Sequence, residues 1–154
     1  MKDSISIQRV NLLHPKIVTD FTNFITDTED GLGIVIRIVQ GLRTFEQQGA
    51  IYAQGRTMPG NIVTWAKAGQ SYHNYGLAVD IVPLLDNGAS LDWKFDFSKL
   101  LPFAEKYSIT WGGNFPKGKK DMDHFEKTFG YSWSDLLAKY NAKDFITGTT
   151  FINI

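Results

Sequence analysis

The sequence predicts an α+β fold, a small antiparallel sheet flanked by helices, and three observations carry that expectation. Two apolar runs, at 33–40 and 77–83, read as strands. Segments that read as helices, by apolar spacing or by a capping box, precede the first run, separate it from the second and close the chain. A length of 154 residues with 43% apolar content suits one domain with a proper core and is too short for two ordinary ones. The expectation is one domain over 1–154 with its core at about 10–140.

In chain order, Pro15 suits the first turn of a helix, where its missing N–H is no loss. Ile17, Phe21, Phe24 and Ile25 then give residues 16–28 an apolar stripe. His14, just ahead, reads as a capping or packing histidine, since no carboxylate or second histidine is nearby. The stretch 28–31 should break this helix, and 33–40 should follow as a strand, with Arg37 at an edge or on a face open to solvent. Thr44 and Gln47 stand at the spacing of a capping box and start a second helix, Phe45 to about Ala53. Arg43 therefore lies at a strand–helix junction, where a rigid element fixes the backbone and leaves the side chain free to reach out.

The Gly- and Pro-bearing stretch 54–60 and the aperiodic 61–70 form a long loop, expected to border a cleft. Residues 86–88 read as a turn and 91–95 as a strand-like segment. Asp96 or Ser98 can cap a helix to about Tyr107, with Pro102 in its first turn. A short strand at 109–113, a basic loop at 117–121 and a last helix at 132–140 complete the chain. Trp133, Leu136, Leu137 and Tyr140 should pack that helix on the domain. No internal repeat or low-complexity tract appears.

Composition narrows the chemistry. A formal net charge of zero lacks the electrostatic footprint of a nucleic-acid binder. No apolar run approaches the roughly 20 residues needed to cross a bilayer, and the first residues lack the apolar core of a secretory signal. The expectation is a soluble protein, cytoplasmic until released. With no cysteine there are neither disulfides nor thiolate ligands, so any metal must be held by His and carboxylates.

Asp80 sits in the middle of the apolar run 77–83, where a carboxylate costs several kcal/mol unless a cation or metal offsets its charge. His73 stands seven residues upstream, and a loop entering a strand can aim both side chains at one point. A hydrolytic zinc site needs three protein ligands and an open fourth position, and His124, in the acidic segment 121–126, is the third candidate. Two of the three histidines thus fall beside acids at loop-to-strand junctions. The competing reading is a buried polar network.

The pattern Ser71-x-His73-x6-Asp80, followed after about forty residues by Asp121-x-x-His124, resembles the zinc signature of the peptidoglycan metallopeptidases. These include D-alanyl-D-alanine carboxypeptidases, vancomycin-resistance dipeptidases and the L-alanyl-D-glutamate endopeptidases of phages and bacilli. The stretches 41–48, 51–57 and 69–80, with Trp111-Gly-Gly113, resemble the L-alanyl-D-glutamate branch. The resemblance covers roughly residues 10–140. It implies the Hedgehog/D,D-peptidase-like fold with a single zinc in a cleft.

On that resemblance His73, Asp80 and His124 would bind one Zn²⁺ per chain, and Asp121 would be the general base that deprotonates the attacking water. Arg43 would stabilise the oxyanion, while Ser71 and Gln48 would contact substrate. Many members use glutamate as the base, and aspartate is common in the endopeptidase branch. Asp123 stands where proline or an aromatic is expected; strand alternation would turn it away from the metal if His124 faces it. The implied function is hydrolysis of the L-alanyl-D-glutamate bond of stem peptides, as a phage or prophage endolysin or a host wall-remodelling enzyme. The protein should act as a monomer without a separate wall-binding domain. The alternatives are a D,D- or L,D-carboxypeptidase on the same scaffold and a non-catalytic, zinc-stabilised binding module.

Overall fold

A computed structural model describes residues 1–85 and 88–154, so the turn expected at 86–88 falls largely outside the described residues. Four strands form one antiparallel sheet: β1 (Ile36–Gln40), β2 (Ala78–Pro83), β3 (Thr110–Trp111) and β4 (His124–Glu126), in the order β1-β2-β4-β3. Alternation along β2 and β4 sends Val79, Ile81 and Phe125, all fully buried, to one face. Helix α2 (Pro15–Leu32) covers that face, its Phe24 ring 5.2 Å from that of Phe125. Burial of such side chains contributes about 1.5–3 kcal/mol each. The opposite face carries Asp80, His124 and Glu126.

The amino-terminal helix α1 (Ser4–Val10) has no counterpart in the sequence reading. Asp3 caps it, accepting from Ser6 N–H at 2.8 Å, and both Asp3 oxygens accept from Arg37 at 2.9 Å. Arg37 does lie on an edge strand, but it is paired to Asp3 instead of facing solvent. The Ser6 hydroxyl accepts from Ile38 N–H at 2.8 Å, and Arg9 donates to the carbonyl of Val39 at 3.0 Å. Helix α1 therefore occupies backbone groups along the free edge of β1, which would otherwise invite pairing with another chain.

Helix α2 does not break at 28–31 but continues to Leu32, ending at Gly33 with φ 67°. Buried Glu29 reaches forward to accept from Ile36 N–H at 3.0 Å. Gly31 is a close-packing residue, not a breaker: a Cβ there would lie 2.6 Å from the Phe103 ring. Phe103 belongs to α4 (Leu101–Lys106), which carries Pro102 in its first turn and follows a 3₁₀ turn, Phe97–Leu100, capped by Asp96. The segment 91–95 is not a strand. Its one bridge, Leu84 with Leu91, ends where Asp92 accepts from Lys94 N–H at 3.1 Å and turns the chain.

Helix α3 (Phe45–Ala53) begins at Thr44 with the full capping box to Gln47, as the sequence indicated. Helix α5 (Trp133–Asn141) has a second box, from Ser132 to Asp135. Leu136 is fully buried and the Tyr140 ring lies 4.4 Å from Phe45, whereas Trp133 stays 40% exposed. Among the described residues no helix is long and apolar enough to cross a membrane.

His14 does cap α2, and it does more. Its Nδ1 accepts from Lys16 N–H at 3.2 Å, so the neutral ring donates Nε2–H to the carbonyl of Ile152 at 2.9 Å. Its backbone N–H donates to the Gly76 carbonyl at 3.0 Å, joining the start of α2 to both the chain's end and the loop ahead of β2. Burial lowers the ring's pKa, outweighing the Ile152 carbonyl, and Lys16 adds to the shift. The unfolded chain then takes up this proton more readily than the fold. His14's contribution is complete above 6.5 and is lost as pH falls from there through the folded-state value.

His14→Gln should therefore be less stable by about 1 kcal/mol at pH 7. Chemical denaturation at a series of pH values should show that deficit shrinking below pH 6.5. Parallel curves for the two proteins at all pH values would refute the assignment.

Candidate active site

Each of three converging side chains is placed by a different local device. His73 comes from a 3₁₀ turn, Tyr72–Tyr75, which ends at Gly76 with φ 67°. A Cβ at Gly76 would lie 2.7 Å from the His14 nitrogen, so this turn closes against α2 only with glycine. Asp80 stands in β2 and His124 opens β4, and the strand register sets them directly opposite one another. His73 Nε2, Asp80 Oδ1 and His124 Nδ1 form a triangle with edges of 3.1, 3.0 and 3.3 Å.

Outer contacts fix which atom each ring turns inward. His73 Nδ1–H donates to the Gly41 carbonyl at 2.9 Å, and His124 Nε2–H donates to Glu126 Oε2 at 2.9 Å. With those protons committed, neutral rings present two lone pairs to a carboxylate oxygen, which is stable only around a cation. Four ligands at about 2.0–2.1 Å around a tetrahedral ion have edges of about 3.3 Å, close to the spacing of this triangle. The residues therefore fit a divalent ion with nitrogen and oxygen ligands.

The electrostatics agree. Burial opposes ionisation of Asp80, but bonds from His124 and His73 outweigh it and hold the carboxyl well below the usual range. Burial also opposes charging of His124, and its bonds to Asp80 and Glu126 outweigh that, pushing the ring up to about 10. The cluster thus favours a positive charge: without a metal ion His124 takes a proton, and a bound metal ion would replace it.

These groups open into a groove of about 970 Å³ whose walls include Arg43, Ser71 and Asp121. The long loop borders it as anticipated, through 63–66. The Arg43 guanidinium stands 3.8 Å from Asp80 Oδ2, with burial lowering its pKa against the opposing charges of Asp80 and Asp121. Ser71 begins the 3₁₀ turn, its carbonyl accepting from Asn74 N–H at 3.0 Å. Gln48, expected at the substrate, is fully buried with its amide engaged at both ends. Its Oε1 accepts from Arg43 at 3.0 Å and its Nε2 donates to the Ala66 carbonyl at 2.8 Å.

Asp121 is held in a loop against Gly112, where a Cβ would come 2.4 Å from the Asp121 carbonyl. The expectation for Asp123 rested on strand alternation, and that premise does not hold. Asp123 precedes β4 in a bend, so strand alternation does not govern it. Burial, a hydrogen bond shared with Asp121 and the charges of Asp80 and Asp121 push its carboxyl up to about 7. The Asp121–Asp123 pair thus retains a proton more readily than two separate carboxyls would. Glu126 escaped the sequence reading, although its place two residues beyond His124 puts it on the same strand face.

A family model described as D-alanyl-D-alanine carboxypeptidase matches residues 64–127, which contain all three converging side chains and Asp121. The chain is 38% identical over 124 residues to the peptidoglycan L-alanyl-D-glutamate endopeptidase CwlK of Bacillus subtilis (strain 168), covering 74% of this chain and 72% of that protein. Among solved structures, the L-Ala D-Glu endopeptidase ChiX of Serratia marcescens superposes with a TM-score of 0.60 at 21% identity, over 82% of this chain and 88% of that one. The LD-carboxypeptidase LdcB gives 0.53 at 20% identity, over 80% and 68%. The two superpositions establish a shared fold. The identity and coverage of the match to CwlK establish kinship: the chain belongs to the family of peptidoglycan peptidases that holds the D-alanyl-D-alanine carboxypeptidases and the L-alanyl-D-glutamate endopeptidases.

Proposed function

We propose that this protein hydrolyses the L-alanyl-D-glutamate bond of peptidoglycan stem peptides, using one zinc ion held by His73, Asp80 and His124. The observation that carries the reading is the convergence of two histidine lone pairs and a carboxylate in the groove that Asp121 and Arg43 also line. The choice of bond is supported by the 38% identity to CwlK, named for that activity. When bound, zinc would supply Lewis acidity, polarising the scissile carbonyl and making water nucleophilic near neutral pH.

The protein's own groups do the remaining work. Asp121 accepts the proton of the attacking water and returns it to the departing amine of D-glutamate. Asp123, through its hydrogen bond, orients that carboxylate. Arg43, braced by Gln48, presents its guanidinium to the oxygen that becomes negative as the tetrahedral intermediate forms. Gln48 thus acts as a positioning residue, and Ser71 on the groove wall offers a hydroxyl to the substrate. The aspartate base favours a catalyst over a purely structural zinc module, which needs none.

Titration against a chromophoric chelator should give one zinc per chain, with His73→Ala removing the site. Glu126→Ala should weaken zinc by about 10–100-fold, because His124 loses the acceptor that fixes its tautomer. Equal affinity in Glu126→Ala and the parent would remove that role from Glu126. Asp121→Ala should keep its zinc and lose about 10²–10⁴-fold in kcat on defined muropeptides. Mass spectrometry of the products should find a new D-glutamate amino terminus. Release of single D-alanine would instead identify a carboxypeptidase.

A further inference from the structure

We propose that Trp65 is a stacking platform for a sugar ring, so that the groove takes the stem peptide while it is still joined to its glycan strand. The inference rests on the L-alanyl-D-glutamate reading and names the carbohydrate part of that substrate. Trp65 lines the groove and is 80% exposed, more than any other large apolar side chain among the described residues. Leaving an indole in water forgoes burial that this domain uses elsewhere, and apolar surface on a cleft wall marks a ligand groove.

The ring is exposed but not loose. The Arg56 guanidinium lies 5.2 Å from the Trp65 ring centroid and 4.0 Å from that of Tyr52 in α3. Arg56 also donates to the carbonyls of Tyr52 at 2.6 Å and Thr64 at 3.0 Å. On the other side of Trp65, the Ala66 carbonyl accepts from buried Gln48. The backbone on both sides of the indole is thus tied to α3 or the loop that follows it, and the tie through Gln48 continues to Arg43 beside Asp80. A preorganised aromatic face loses little entropy on binding.

The chemistry of the substrate selects the ligand. In peptidoglycan the L-alanine nitrogen is acylated by the lactyl group of muramic acid. A single residue, at most about 3.6 Å of chain, separates the scissile bond from that sugar's substituent. A sugar ring must therefore lie in this groove or on its rim whenever the substrate is attached to glycan. Sugar rings present weakly positive C–H faces that match the negative face of an indole. The first two residues of the stem offer only a methyl group and a carboxylate, neither of which covers such a ring. Trp93, 59% exposed, is absent from the groove lining and has no such role.

The test compares the zinc-loaded parent, Trp65→Ala, Trp65→Phe and Trp93→Ala on one bond in two substrates, a free stem peptide and the same peptide carried on a disaccharide of N-acetylglucosamine and N-acetylmuramic acid. Trp65→Ala should lose about tenfold more kcat/KM on the disaccharide-linked substrate than on the free peptide, chiefly through KM. Trp65→Phe should recover most of the loss, and Trp93→Ala should match the parent on both. Equal losses on the two substrates, or none, would overturn the proposal. In parallel, peptide-free glycan tetrasaccharide should shift the Trp65 indole N–H resonance in the parent, and its binding should weaken in Trp65→Ala. That arm needs no hydrolysis. Glycan binding without cleavage of either substrate would reject the peptidase reading and retain the sugar site; cleavage without glycan binding would do the reverse.

Discussion

Asp80 and His124 face one another across β2 and β4, and the rest of the site exists because of that pair. A carboxylate in a buried strand is unfavourable unless positive charge reaches it, and here one imidazole arrives by register and another from the turn before the strand. Each imidazole then needs an acceptor for its second N–H, which the Gly41 carbonyl and Glu126 supply. A three-residue strand could not hold this alone. Pairing continues beyond both ends of β4, since Ile81 N–H donates to the Asp123 carbonyl at 2.9 Å and Lys127 N–H to that of Leu77 at 3.0 Å.

A second constraint runs through Gln48. It is fully buried, yet it touches the Arg43 guanidinium at one end and the wall of the groove at the other. A buried amide with both ends satisfied is stable, whereas one with a missing partner carries a penalty of about 1–3 kcal/mol. The loop carrying Trp65 and the side chain of Arg43 are therefore coupled, and displacement of either would orphan the amide. The groove wall formed by this irregular loop is thus held both by α3, through Gln48, and within the loop, where Arg56 donates to the Thr64 carbonyl.

Much of this was legible because the signals were local. The capping box at Thr44, the proline at the start of α2 and the apolar run around Asp80 each depend on a few neighbouring residues. What escaped the sequence depends on distant partners. Helix α1 matters through Asp3 and Arg37, which are far apart in the chain. Gly31 has the composition of a breaker, but the Phe103 ring makes it a packing requirement. Leu91, Trp93 and Phe95 alternate as a strand would, until Asp92 bonds to the backbone and closes a turn. Strand logic failed at Asp123 because β4 begins one residue later, and Gln48 could be placed in the right neighbourhood but not on the correct side of Arg43.

Charge would tie a metal bound in this groove to an acidic substrate. The titratable groups lining the groove include three carboxylates, Asp80, Asp121 and Glu126, against two cations, Arg43 and Lys119. With both imidazoles neutral, as metal ligation would require, these groups sum to minus one, and a divalent ion would turn that deficit into a surplus of one. Without an ion, His124 offsets the deficit itself by taking a proton. The proposed ion would then favour admission of an acidic peptide as well as supply chemistry, and the raised pKa of Asp123 beside Asp121 works against a further negative charge there. The exposed indole of Trp65 adds an uncharged surface to the same groove.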